Sequence, residues 1–292
     1  MQQRRPLWFR SASAIVLACA LAACGQPSDS SEPAANDDAS PQTAAPTGQA
    51  RQPADQETQI GDEIYKELTD KAEVISRTPL YEPLQSVTGP IATVAGRQYN
   101  HPFKFILVHE AQPNAFSVPG GNVFVVDSLM TFVRNREELV GVLCHEVAHT
   151  LHHDSMKKIE EEKKLRAEGA GALILLGPSV AHILAIELLG DLRRNGYSRG
   201  QESAADLTGS DICAAAGYNP YGLIWLFQDF QNAEPDDVPQ LLSDHPSFDN
   251  RIQALQDHFR QNQGVFGKFS ADRKTATPFS VDSDPWVVFL RK

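Results

Sequence analysis

The stretch NREELVGVLCHEVAHTL, residues 135–151, constrains the fold more than any other part of the chain. Leu139, Leu143, Val147 and Leu151 recur every four residues, so a helix gathers them into one apolar stripe that must lie against a core. Asn135 stands in front with Glu138 three positions on, a capping-box arrangement that starts the helix there. The same helix sets His145 and His149 one turn apart on a shared face, with Glu146 beside them. Two imidazoles at this spacing can share one zinc ion, and a neighbouring carboxylate can take a proton from water that the metal has made acidic. A polar helix face that is simply rich in histidine is the other reading.

The surrounding pattern is that of a mixed helical domain. Residues 57–76 read as a helix with Ile60, Ile64, Leu68 and Val74 on one side, and residues 102–109 read as a strand. Two β-rich runs flank Pro119-Gly120-Gly121 within residues 114–126, the signature of a tight hairpin. Asp127 or Ser128 then caps a short helix. Residues 169–190 are strongly apolar, but Gly177-Pro178 breaks the run and Glu187 interrupts it, which favours a buried helix or helical hairpin over a membrane span.

A zinc of this kind takes a third protein ligand and keeps one position open. In YSRGQESAAD, residues 197–206, Glu202 and Asp206 again stand one helical turn apart. Glu202 suits the third ligand and Asp206 suits a hydrogen bond to a ligand imidazole, although the spacing alone reads equally as a solvated acidic face.

The N-terminus carries a different kind of information. Arg4, Arg5 and Arg10 precede a short apolar run that ends in Leu21-Ala22-Ala23-Cys24. The run is too short to span a membrane, and its ending resembles the bacterial lipobox, in which the cysteine is lipidated and begins the mature chain. Loss of residues 1–23 removes three arginines and no acids, taking the net charge from -11 to -14. Such a balance excludes a phosphate-backbone partner, so no nucleic acid is expected, and membrane attachment should run through the lipid on Cys24. Residues 25–56 contain five prolines and no Val, Ile, Leu, Met, Phe, Tyr or Trp, a composition that makes a disordered tether. Gly25 and Gln26 are not the aspartate associated with inner-membrane retention, so the expected address is the periplasmic side of the outer membrane. Of the cysteines left, Cys144 and Cys213, the first reads as a small buried residue, though the compartment would allow the two to pair.

Four ordered motifs carry a resemblance. His145-Glu146-x-x-His149 is followed by Ser198-Arg199-x-x-Glu202-x-x-Ala205-Asp206, preceded by Asn114-Ala115-Phe116-x-x-Pro119-Gly120-Gly121, and trailed by His245-Pro246-x-x-x-x-Arg251-Ile252. This set resembles the HtpX and CAAX-prenyl-protease family of zinc metallopeptidases over about residues 57–255. The family's integral members have several spanning helices and this chain shows none after its signal, so it looks like the soluble lipoprotein branch, without the repeat-rich C-terminal domain of some members. The resemblance implies an α+β, mainly helical, zincin-like fold with a small antiparallel sheet or hairpin beside the zinc helix. It implies one Zn2+ per chain on His145, His149 and Glu202, and Glu146 as general base. His245 would stand near the open coordination position, there to stabilise the oxyanion or to occupy the fourth site at rest.

The domain organisation expected is therefore a signal over 1–23, a lipidated Cys24 and tether over 24–56, and a peptidase domain over 57–292. The expected activity is a lipid-anchored endopeptidase that degrades misfolded or misassembled envelope proteins, the hairpin edge pairing with extended substrate. A chaperone-like module that holds such clients without cutting them is the reading from another class; Glu146 favours the enzyme, because a holder needs no base beside the metal.

Overall fold

The computed structural model describes residues 55–170, 178–232, 248–279 and 281. The signal, Cys24, most of the tether and His245 lie outside the described residues. Helix α1 (Gln56–Asp70) opens where the side chain of Asp55 accepts from the Thr58 N–H at 2.9 Å, so the last residue of the segment expected to be tether is helical. Ile60, Ile64 and Leu68 form its buried stripe. The helix stops at Asp70, six residues earlier than the periodicity suggests. Ala72 takes a left-handed φ of 59°, and Val74 leaves the helix to bridge Val108. Helix α2 (Tyr81–Ala95) is not legible in the sequence, because Pro90 and a run of β-branched residues lower helix propensity. Burial of Leu84, Val87 and Ile91 overrides that preference.

Strands β1 (Lys104–Val108), β2 (Ala115–Val118) and β3 (Asn122–Val126) form one sheet in the order β1-β3-β2. The hairpin pair β2–β3 is antiparallel, with Phe116 opposite Phe124. β1 runs parallel to β3, with Ile106 opposite Phe124, so the sheet is mixed rather than wholly antiparallel. The reason is topological: the β1–β2 connection carries the chain past the middle position to the far edge, and β3 returns into the gap. Every residue of β2 and β3 is buried, which explains why the two runs read as continuously apolar. Gly120 and Gly121 turn the hairpin at φ of 80° and 79°. A Cβ on Gly121 would lie 2.5 Å from the Pro102 carbonyl oxygen, so that turn requires glycine.

After the short helix α3 (Asp127–Phe132) comes α4 (Arg136–Leu151), whose N-cap Asn135 accepts from the Glu138 N–H at 2.9 Å. Leu139, Leu143 and Val147 are fully buried. Helices α5 (Asp154–Ala170), α6 (Pro178–Asn195), α7 (Arg199–Ala215), α8 (Tyr221–Asn232), α9 (Phe248–Gln261) and α10 (Gln263–Phe266) follow. Of the apolar segment, α6 covers the part from Pro178 onward, and residues 171–177 lie outside the described residues. Among the described residues no helix is long and apolar enough to cross a membrane. One core gathers α2, α4, α7, α8 and α9; a second lies between the sheet, α1 and α6. Cys144 and Cys213 are both free and buried in the first.

Two glycines bring α4 into backbone contact with its neighbours. A Cβ on Gly141 would lie 2.6 Å from the Leu223 amide of α8, and one on Gly209 of α7 would lie 2.9 Å from both N and Cα of His145. Gly209→Ala should therefore cost about 1–3 kcal/mol in chemical denaturation, as overpacked interiors do. Gly200→Ala, where an added Cβ meets nothing within 4 Å, should be neutral or stabilising by up to about 1 kcal/mol.

Candidate metal centre

The close approach at Gly209 decides what faces the two histidines. Glu202, Asp206 and Gly209 share one face of α7, at i, i+4 and i+7, so the helix that touches α4 at His145 turns both carboxylates toward it. His145 Nε2 and His149 Nε2 are 3.1 Å apart. Glu202 Oε2 is 3.4 Å from the first, and Glu202 Oε1 is 3.6 Å from the second. These three residues could hold a metal ion, and they are the one such cluster among the described residues. A tetrahedral zinc with arms of about 2.0–2.2 Å needs ligand–ligand edges of about 3.3–3.6 Å; the two His–Glu202 distances lie in that range and the His–His distance is slightly shorter.

Charge fits as well as shape. Glu146, Asp154, Glu202 and Asp206 are all buried, and Arg251 is the only buried Arg or Lys among the described residues. An excess of buried carboxylate is costly unless a cation offsets it. Burial opposes a charge on His145, yet Asp206 and Glu202 lift its pKa to about 10. Burial and the charge of His145 lower His149 to about 4, against the pull of Asp154. The pocket is thus built to retain positive charge between the two rings.

Each ring is aimed from behind. Asp206 Oδ1 lies 2.9 Å from His145 Nδ1, and Asp154 Oδ2 lies 2.9 Å from His149 Nδ1. Arg251 of α9 donates through Nε to Asp206 Oδ2 at 2.7 Å and through Nη2 to Asp206 Oδ1 at 2.6 Å, with Nη2 also 3.2 Å from Glu202 Oε2. Tyr197 stacks on His149 with centroids 4.0 Å apart. Its hydroxyl is 2.7 Å from Ser155 Oγ and donates to the Ser117 carbonyl at 3.3 Å.

Glu146, the residue between the histidines, lines an open cleft together with His145 and Glu202. Burial pushes its carboxyl up to about 7; His145 draws it down and Glu202 adds to the rise. The edge strand is narrower than the sequence implies. Val126 N–H donates to the Asn114 carbonyl at 2.9 Å, so alternate residues Ala115 and Ser117 turn their backbone groups away from β3. The Ser117 carbonyl is already taken by Tyr197 and Ser155, which leaves Ala115 as the outward residue at the cleft end of the strand.

Other histidines stand apart. His152 Nε2 meets Thr208 Oγ1 at 3.0 Å, and His153, at a φ of 53°, holds Glu57 Oε1 at 2.8 Å. Sequence reasoning misses Asp154, Tyr197 and Arg251 as site residues. Arg251 stands in the His-Pro motif with no role that spacing could suggest, whereas Asp154, five residues past His149 and on the next helix, has no periodic signal. Changing Asp154 or Asp206 to Asn should weaken zinc binding about 10–100-fold in competition with a chromophoric chelator, because each orients a ligand ring. Arg251→Met should destabilise the fold by about 3–5 kcal/mol, since it leaves two buried carboxylates without their cation.

Comparison with known proteins sets this site in a family. The beta-barrel assembly-enhancing protease of Yersinia pestis is 26% identical over 259 residues, covering 78% of this chain and 52% of that protein. The mitochondrial metalloendopeptidase OMA1 of Schizosaccharomyces pombe is 26% identical over 219 residues, 72% of this chain and 63% of its own. A protease HtpX homolog of Aquifex aeolicus is 27% identical over 202 residues, 52% of this chain and 64% of its own. The chain spans about half the length of the assembly-enhancing proteases it matches. The model of Peptidase family M48 matches residues 81–258, more than half of the chain and the whole of the segment that carries the two histidines, Glu202 and Arg251, and the chain belongs to that family.

Proposed function

We propose that the protein is a zinc endopeptidase, lipid-anchored in the bacterial envelope, that cuts misfolded or misassembled proteins. The observation that carries this reading is the buried triangle of His145, His149 and Glu202 with Glu146 alongside it at the head of a cleft. His145, His149 and Glu202 would hold the metal, whose bound form supplies Lewis acidity toward a peptide carbonyl and toward water. Asp206 and Asp154 keep the two rings in the tautomer that presents Nε2. Glu146 accepts the proton given up by the attacking water and delivers it to the leaving amine, a role that its burial suits by holding its carboxyl near neutrality. Ala115, at the cleft end of β2, offers outward backbone groups to an extended chain, which favours unfolded substrate. His245 remains the proposed group at the open side of the centre.

Cys24 would carry the lipid, with residues 1–23 removed as signal, residues 24–56 acting largely as tether and residues 57–292 as the peptidase domain on the periplasmic side of the outer membrane. Relatives named for assembly of β-barrels support substrates in that membrane's protein traffic.

The direct test gives an unfolded model protein to the purified full-length protein at one zinc per chain, beside Glu146→Gln at equal zinc. Wild type should degrade it and Glu146→Gln should be slower by about 100-fold or more, since the ligands stay and the base is gone. Equal rates would overturn the role of Glu146, and binding without cleavage by both would support a holding module. Glu202→Ala should lose zinc by metal analysis. Cys24→Ser should move the protein from the membrane fraction to the soluble fraction of the envelope.

A further inference from the structure

The cleft in front of Glu146 continues away from the metal donors into an apolar slot. Its depth is lined by Leu129 of α3, Val142 of α4, and Leu223, Leu226, Phe227 and Phe230 of α8. The four α8 residues stand at i, i+3, i+4 and i+7, so one stripe of that helix makes a whole wall. Val142 lies one turn before Glu146 and is only partly buried, so it faces the slot at the end nearest the chemistry. The whole cleft, metal end and open mouth included, encloses about 430 Å3, and the apolar slot is one part of it.

Its electrostatics are one-sided. None of the six deep residues carries a polar side chain. Arg251 lies at the metal end with its guanidinium 4.2 Å over the Phe227 ring, its Nε and Nη2 turned to Asp206 and Glu202. Glu146, Glu202 and Arg251, the charged residues of the lining, all stand at that end, so a charged side chain buried among the six apolar residues would be left unpaired.

Resting on the peptidase reading above, we infer that this slot is a specificity subsite for a large apolar side chain (Phe, Leu or Met) next to the bond that is cut, with Val142, Phe227 and Phe230 as its specificity-determining residues. Such side chains are buried in folded proteins and exposed in unfolded ones. The subsite thus makes exposure of the hydrophobic interior itself the recognised feature, while the backbone end of β2 reads only extended chain. Discrimination between misfolded and native protein then needs no sequence motif.

The test uses the full-length zinc-loaded protein and a set of quenched-fluorescent peptides that differ at one position beside the cut. That position is found first by mass spectrometry of fragments from an unfolded protein. The Phe peptide should exceed the Gly, Asp and Lys peptides in kcat/KM by at least about tenfold, and Val142→Phe, which fills the slot, should collapse that ratio. In parallel, Glu146→Gln should bind the Phe peptide at least about tenfold tighter than the Gly peptide by fluorescence anisotropy. Cleavage with no apolar preference, or binding with none, overturns the subsite and leaves the peptidase standing. Preferential binding with no cleavage by wild type overturns the peptidase reading and, with it, the cleavage subsite, leaving the slot as a binding site for apolar side chains.

Discussion

The contact on which the site depends is the one where α7 meets α4 with no side chain between them, at Gly209 against the backbone of His145. A helix held this close has no rotational freedom left. Its face bearing Gly209 also bears Asp206 and Glu202, so one steric fact delivers the ring-orienting carboxylate and the third donor to the two histidines. Gly141 against Leu223 does the same on the other side of α4 and fixes the apolar wall of α8 next to Glu146. Both walls of the cleft are thus set by glycines that lie in helices and would read, by propensity alone, as defects.

Close packing creates an electrostatic problem that the rest of the site answers. Buried carboxylates from α4, α5 and α7 converge at the head of the cleft, and a single guanidinium from α9 stands among them. Arg251 donates to Asp206 and lies beside Glu202, and Asp206 stands 2.9 Å behind His145 Nδ1, so α9 reaches the centre through a line of opposed charges. The shortfall of positive charge would favour a cation at His145, His149 and Glu202. The same surroundings set the two imidazoles apart: Asp206 and Glu202 favour the charged form of His145, and burial favours the neutral form of His149. Tyr197 ties this centre to the sheet by stacking on His149 and donating to Ser117, so β2 and the donors move as one piece.

The hairpin turn is held from outside that assembly. Gly120 donates to the Tyr99 hydroxyl at 3.1 Å, Tyr99 hydrogen-bonds Glu57, and Glu57 also meets His153 just beyond α4. Helix α1 therefore caps both the Pro119-Gly120-Gly121 turn and the end of the histidine helix. It does so although it precedes residue 81, where the match to the family begins.

Local periodicity makes much of this protein legible in its sequence. The α4 stripe, its Asn135 cap, the Pro-Gly-Gly turn and the i, i+4 pairs of donors are all short-range patterns, and a helix or hairpin that obeys them needs only its own residues. Patterns fail where tertiary burial competes with propensity, as in α2, whose Pro90 and β-branched residues argue against the helix that its buried Leu84, Val87 and Ile91 impose. They fail again in the sheet, where the direction of β1 follows from how the chain crosses and not from any residue in it. The sequence by itself determined that His145, Glu146 and His149 share a helix and that Glu202 and Asp206 share another. Only the tertiary structure decided that these two helices touch, that Asp154, Tyr197 and Arg251 complete the surroundings of the rings, and that an apolar slot opens beside Glu146. The reason is that spacing along a helix sets which side chains lie on one face, whereas what that face meets depends on packing between residues far apart in the chain.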